Sequence, residues 1–182
     1  MKKALLIAAL CLPMSIAIAA PKNASKASSV SSDSGNPFTP ERNKAAGNLS
    51  TTIVTNNKMA NGCKGKGELT EDNIKQSLNT WQNKNKQYLM VHYDYVNGYL
   101  GAVKQVGGDD AAKKALADMT KFNNEQANSM VKTMIEKDGA ELACKKYFTI
   151  LSSGAMDIKE GYPDFKVWKG MVEFSKKNSP KQ

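Results

Sequence analysis

Leu89, Tyr93, Val96, Leu100 and Val103 recur at spacings of 4, 3, 4 and 3. That rhythm lays apolar side chains along one stripe of an α-helix and on no single face of a strand. The middle of the chain therefore has to fold as a helix packed against something. Tyr88, His92, Tyr95 and Tyr99 repeat the rhythm on the neighbouring face. Gly107-Gly108 ends the pattern. Asp109 or Asp110 then caps a long helix reaching about Lys137, with Ala112, Leu116, Met119, Asn123, Ala127, Met130 and Met134 on its inward stripe, Phe122 and Ile135 beside it, and Gly139 closing it.

The flanking segments extend the same reading. Thr70 can cap a helix whose first turn holds Glu71 and Asp72, acids suited to its positive end. Ile74, Leu78 and Trp81 share one face of it, and Asn83 to Lys86 either interrupts it or is carried through. A further helix runs from Ala140 to about Ser152, with Leu142, Tyr147, Ile150 and Leu151 inward and Cys144 upon it. Gly154 and Gly161-Tyr162-Pro163 mark a loop, and Pro163 suits the first turn of a last helix carrying Phe165, Trp168, Met171 and Val172. Before Thr70 the signals are weaker. Thr51-Thr52-Ile53-Val54-Thr55 is a brief strand-like run. Residues 61–67 form a glycine-studded loop in which Gly67 is followed by Glu68, so the Lys-Ser/Thr of a phosphate loop is missing.

The N-terminus reads as an export signal. Lys2 and Lys3 precede the apolar run Ala4 to Leu12, Pro13 breaks it, and Ala17-Ile18-Ala19 has the small-x-small form that signal peptidase cleaves. The stretch to Ala20 is short of the about 20 apolar residues that span a bilayer, and no later segment replaces it. Leu10 stands before Cys11 where a lipoprotein signal has a small residue. The expectation is a leader at 1–19, removed near Ala19, and a chain that works in the periplasm or beyond, with no transmembrane segment after cleavage.

Removal of the leader takes away Cys11 and leaves Cys63 and Cys144. Two cysteines in an exported chain most simply pair with each other. Closing so long a loop contributes about 4 to 5 kcal/mol in the chain-entropy picture. Neither belongs to a C-x-x-C, which removes the usual signature of a thiol oxidoreductase or a haem attachment site.

Charge divides the chain unevenly. The full sequence carries +9, and loss of Lys2 and Lys3 leaves +7. Residues 20–67 hold +5 of this and residues 68–182 only +2. The basicity belongs to the N-terminal part, and Arg42 is the one arginine. A nearly neutral body without arginine clusters argues against a nucleic-acid surface. The basic tail is suited to weak electrostatic attraction to an anionic envelope surface. Residues 20–50 are rich in Ser, Asn, Ala, Lys, Pro and Gly and read as a disordered basic linker.

Catalytic chemistry has few candidates. His92 is the sole histidine, with no Glu-x-x-His or His-x-x-x-His around it, so the usual spacing of a metal centre is missing, and no nucleophile-elbow motif marks a Ser-His-Asp triad. Of nine methionines two fall in the leader, and Met119, Met130 and Met134 follow a core stripe better than a copper motif. The acids Asp109, Asp110, Glu136, Asp138 and Glu141 sit at helix ends, where capping and dipole effects explain several of them. Glu125 is the one candidate on a polar helix side for a cell-wall hydrolase.

The sequence thus predicts an all-α chain: a single bundle of about five helices over 51–182, closed by a Cys63–Cys144 disulfide and preceded by a disordered tail. No catalytic residue, metal or cofactor is expected. The function that fits is a non-enzymatic periplasmic protein that presents a helical face to a protein partner, as an inhibitor, immunity or assembly protein does. Tyr88, His92, Tyr95 and Tyr99 are the candidate binding face. The alternative is a small-molecule or lipid carrier with an apolar cavity between helices.

Overall fold

The computed structural model describes residues 36–178. The order is α1 (Pro40–Gly62), α2 (Glu71–Lys84), α3 (Lys86–Asp138), α4 (Ala140–Ser152) and α5 (Phe165–Asn178). No strand occurs among the described residues. The protein is an all-α bundle with one disulfide, Cys63 to Cys144, whose Cα atoms lie 5.5 Å apart. The leader at 1–19 and residues 20–35 of the expected linker fall outside the described residues.

The first helix corrects two expectations. Residues 40–50, read as linker, and 51–55, read as strand-like, are both inside α1. Thr39 caps it, accepting from the Arg42 backbone N–H at 3.3 Å, and Pro40 occupies the first turn where a missing N–H costs nothing. The threonines fit because their hydroxyls donate back one turn, Thr52 to the Asn48 carbonyl at 3.0 Å and Thr55 to that of Thr51 at 2.8 Å. Ala45, Ala46, Leu49, Met59 and Ala60 are buried. Tertiary packing of these residues outweighs the weak intrinsic propensity of the Thr, Asn and Gly residues in the same helix.

Cys63 caps α1 and opens a compact turn, in which the Gly65 N–H donates to the Leu69 carbonyl at 3.1 Å and the Leu69 N–H to that of Lys66 at 3.1 Å. Gly67 has φ +57°, and a Cβ there would stand 2.7 Å from the Glu141 carbonyl oxygen, so glycine lets this turn lie on α4. Thr70 then caps α2 as expected, in a reciprocal box with Asn73. The helix buries Ile74 and Trp81.

Asn85 breaks the path between α2 and α3. It is 1% exposed, and its Nδ2 donates to the Trp81 carbonyl at 2.7 Å while its Oδ1 accepts from the Ile158 N–H at 2.6 Å. One side chain thereby ends α2 and pins the loop that follows α4. The Trp81 indole N–H holds the same loop through the Met156 carbonyl at 2.9 Å.

α3 is a hairpin. Ser50 Oγ lies 2.8 Å from His92 Nε2, and the adjacent Thr51 hydroxyl donates to Asn123 Oδ1 at 3.3 Å. A straight helix would separate residues 92 and 123 by about 46 Å. The chain instead doubles back at Gly108 (φ +79°, ψ −177°), a conformation essentially confined to glycine. This is where the Gly107-Gly108 pair predicted an end. α1 packs along both arms, 86–107 and 109–138, and α4 and α5 also pack on α3.

The core gathers Leu49, Met59, Cys63, Ile74, Trp81, Tyr88, Cys144, Tyr147, Phe148, Leu151, Trp168, Met171 and Val172. Some expected inward positions point outward. Tyr93 is 68% exposed, and Leu116, Met130, Leu142 and Ile150 are also exposed. The phase of the 86–107 arm is set by α1 and α5, which turn Tyr88, His92 and Tyr95 inward instead.

Candidate functional site

The four residues expected to bind a partner do share a face, and the protein covers it. Tyr88 is buried and meets the Phe165 ring edge-on at 6.5 Å. Tyr95 and Tyr99 close edge-on around Phe38 at 5.3 and 5.6 Å, just before α1 begins. The Tyr95 hydroxyl donates to Asn43 Oδ1 at 2.8 Å, and burial pushes its pKa up to about 12. The His92 ring is tilted 6.0 Å from that of Trp168. Its Nε2 accepts from Ser50 in one tautomer and donates to the Ala46 carbonyl, 3.2 Å away, in the other. Burial lowers its pKa below the ordinary value. Tyr88, Tyr95 and Tyr99 are thus docking points for α5 and the start of α1.

The open surface lies beside this face. A cleft of about 360 Å³ is lined by Ile53, Asn56 and Asn57 of α1, Trp81 and Gln82 of α2, and Leu89, His92 and Tyr93 of α3. A second hollow of about 430 Å³ shares Gln82, Leu89 and Tyr93 with it and adds Asn83, Lys86, Met90 and Asp94. The two form one trough where three helices meet. Met90 is 58% exposed at its border. The lining of the inner cleft includes no carboxylate, ammonium or guanidinium group. Of the expected face, His92 alone lines it.

Asn56 sets the chemistry of the inner cleft. It is 3% exposed, and its Oδ1 accepts from the Tyr147 hydroxyl at 2.5 Å. Burial raises the Tyr147 pKa, so that hydroxyl keeps its proton and donates. The Asn56 Nδ2 has no hydrogen-bond partner among the described residues. Turning the amide over would strand both the tyrosine proton and the amide oxygen, so the orientation follows from the bonding. A buried donor left unpaired costs about 1 to 3 kcal/mol, and native proteins keep few of them.

The residues weighed for chemistry are scattered. Glu125 stands 4.0 Å from Lys121, Glu136 3.6 Å from Lys132, Asp109 2.7 Å from Lys104, and Asp138 2.6 Å from Lys146. The trough holds a single carboxylate, Asp94. Among the described residues no three His, Cys, Asp or Glu side chains gather where a metal ion could sit. No helix among them is long and apolar enough to cross a membrane.

Sequence reasoning missed Ile53, Asn56, Asn57 and Gln82. No local pattern distinguishes these amides from other surface amides. Only the placement of α1 against α3 brings them together. Comparison of the chain with protein-family models, with curated protein sequences and with solved structures found no match.

Proposed function

We propose that this is an exported, non-enzymatic binding protein that works outside the cytoplasm and grips a protein partner through the trough between α1, α2 and the 86–107 arm. The observation that carries the reading is the pairing of an unbonded amide on the lining with large apolar side chains at the rim. Tyr93 is 68% exposed and Met90 58% exposed on that border. Tyrosine contributes large contact area at low conformational cost, and it is enriched where binding energy concentrates. Folding gains little from leaving such groups in water, whereas a partner gains from covering them. The export signal supports the compartment, and the buried Cys63–Cys144 bridge suits an oxidising one. The alternative carrier asks for an apolar cavity between helices, where a copurifying ligand would be found.

A photo-crosslinking amino acid placed at Tyr93, and as a control at the exposed Lys132, tests the proposal in the native envelope. The expected result is one discrete adduct from position 93 and none from 132. No adduct, or the same adducts from both, overturns the surface assignment. Intact-mass measurement of the mature chain tests the compartment separately, with Ala20 expected as its first residue.

A further inference from the structure

The inner cleft has a definite chemical preference. Its lining of Ile53, Asn56, Asn57, Trp81, Gln82, Leu89, His92 and Tyr93 supplies amide groups and apolar or aromatic surface, with no carboxylate, ammonium or guanidinium. The adjoining hollow adds one cation and one anion, Lys86 and Asp94, so it favours neither sign. A charged group entering the cleft would leave water without a counter-charge. An uncharged group with a hydrogen-bond acceptor loses little, because Asn56 Nδ2 is a buried donor with no acceptor among the described residues. Asn56 Nδ2 is itself buried, so an acceptor reaches it only when part of the lining moves aside, and Gln82 and Tyr93 are exposed amide and aromatic side chains of that lining.

We infer that the cleft takes an uncharged stretch of polypeptide, with a backbone carbonyl accepting from Asn56 Nδ2 and the adjoining apolar side chain lying against Leu89, Trp81 and Tyr93. Polypeptide meets all three requirements at once: a neutral carbonyl, an apolar neighbour beside it, and a continuing chain to run along the trough past Met90. The inference rests on the proposed function, since it names what part of the partner the trough holds. An N-acetylated sugar carries the same carbonyl, and the experiment separates the two sources.

The test uses the full mature chain, ¹⁵N-labelled, with three probes of similar size. N-acetyl-leucine N′-methylamide is the uncharged peptide unit. N-acetyl-leucine differs from it by one carboxylate. N-acetylglucosamine carries the carbonyl on a sugar. The expected result is that the methylamide shifts the Asn56 and Gln82 side-chain amide resonances and binds at least tenfold more tightly than either other probe. Tyr93→Ala, at an exposed position, should weaken it at least threefold. Asn56→Asp keeps the acceptor for Tyr147 and removes the donor, so it should abolish the preference. If circular dichroism shows that this variant does not fold, the wild-type Asn56 amide shift and Tyr93→Ala decide the matter. An unmoved Asn56 amide, equal binding of the carboxylate probe, or stronger binding of the sugar overturns the inference. A position-93 crosslink that persists while the methylamide fails leaves the binding surface standing and removes only the peptide-carbonyl assignment. Loss of both removes the surface itself.

Discussion

α1 and the α3 hairpin are both helical, and they are held in opposite ways. α1 carries few large apolar residues, yet Ala45, Leu49, Thr55 and Met59 are each at most 1% exposed. The hairpin carries the most regular apolar stripe in the sequence, yet from 89 to 122 it buries its side chains only in part. Val106, near its tip, is 78% exposed. Periodicity of large side chains reports that a segment is helical. It does not report how deeply the segment is buried. Depth follows from how many neighbours surround a helix, and small residues such as Ala45 and Ala46 allow α1 to lie against both arms.

The largest test of this contrast is the bridge that anchors α1. Its two cysteines are 81 residues apart. Replacing both by Ser should cost about 4.5 kcal/mol in the chain-entropy picture, read as a lower denaturant midpoint. A loss under about 1 kcal/mol would mean that α1 is held by packing alone. Next in size, Leu49→Ala should cost about 2 to 5 kcal/mol, because the site is fully enclosed. Leu116→Ala on the hairpin, 49% exposed, should cost less than about 1 kcal/mol. Equal losses would erase the distinction between the two regions.

Much of the bundle was legible in the residues. The Thr70 cap, the 140–152 helix, the break at Gly107-Gly108 and the buried Trp168 rest on local chemistry, the Cys63–Cys144 pairing on there being two cysteines after the leader, and each stands in the structure. α1 was not legible, because Ser, Asn, Ala and Lys spell a linker by composition and Thr51 to Thr55 spell a strand by propensity. What overrides both is long-range, namely contact with α3. Without α1, the inward side of the 86–107 arm has no partner to define it, so the spacing alone points Tyr93 to the core and Tyr95 to the surface. Asn56 and His92 are brought into one cleft only by that same contact.

The hairpin's reversal depends on one residue. Gly108→Ala places a Cβ at φ +79° and ψ −177°, which should cost about 1 to 3 kcal/mol. Gly101→Ala, mid-arm with nothing within 4 Å of an added Cβ, should be neutral or stabilising by up to about 1 kcal/mol. Equal effects would mean that the arms tolerate another turn geometry.

The contact between the regions should also respond to pH. His92 sits where α1, α3 and α5 meet, and its folded pKa lies below 6.5. The unfolded chain therefore takes up a proton before the folded one does. Stability should be level above the unfolded pKa of about 6.5 and fall as pH drops from there toward the folded value. As this is the only histidine, His92→Gln should flatten the melting temperature between pH 7.5 and 5. A slope unchanged by the substitution would assign the pH response elsewhere.

The smallest effect belongs to the hairpin's charged surface. Lys114 donates to Asp118 at 2.8 Å, one helical turn on, and both side chains are more than 60% exposed. Water screens such a pair, and ordering two long side chains offsets much of its attraction. Lys114→Ala should therefore change stability by less than about 0.5 kcal/mol, and 0.5 M salt should remove the difference. A loss above about 1 kcal/mol that survives salt would show that the lysine's aliphatic stem covers apolar surface between the arms. The hairpin would then be held partly as α1 is held, by exclusion of water, and the contrast between the two regions would become one of degree.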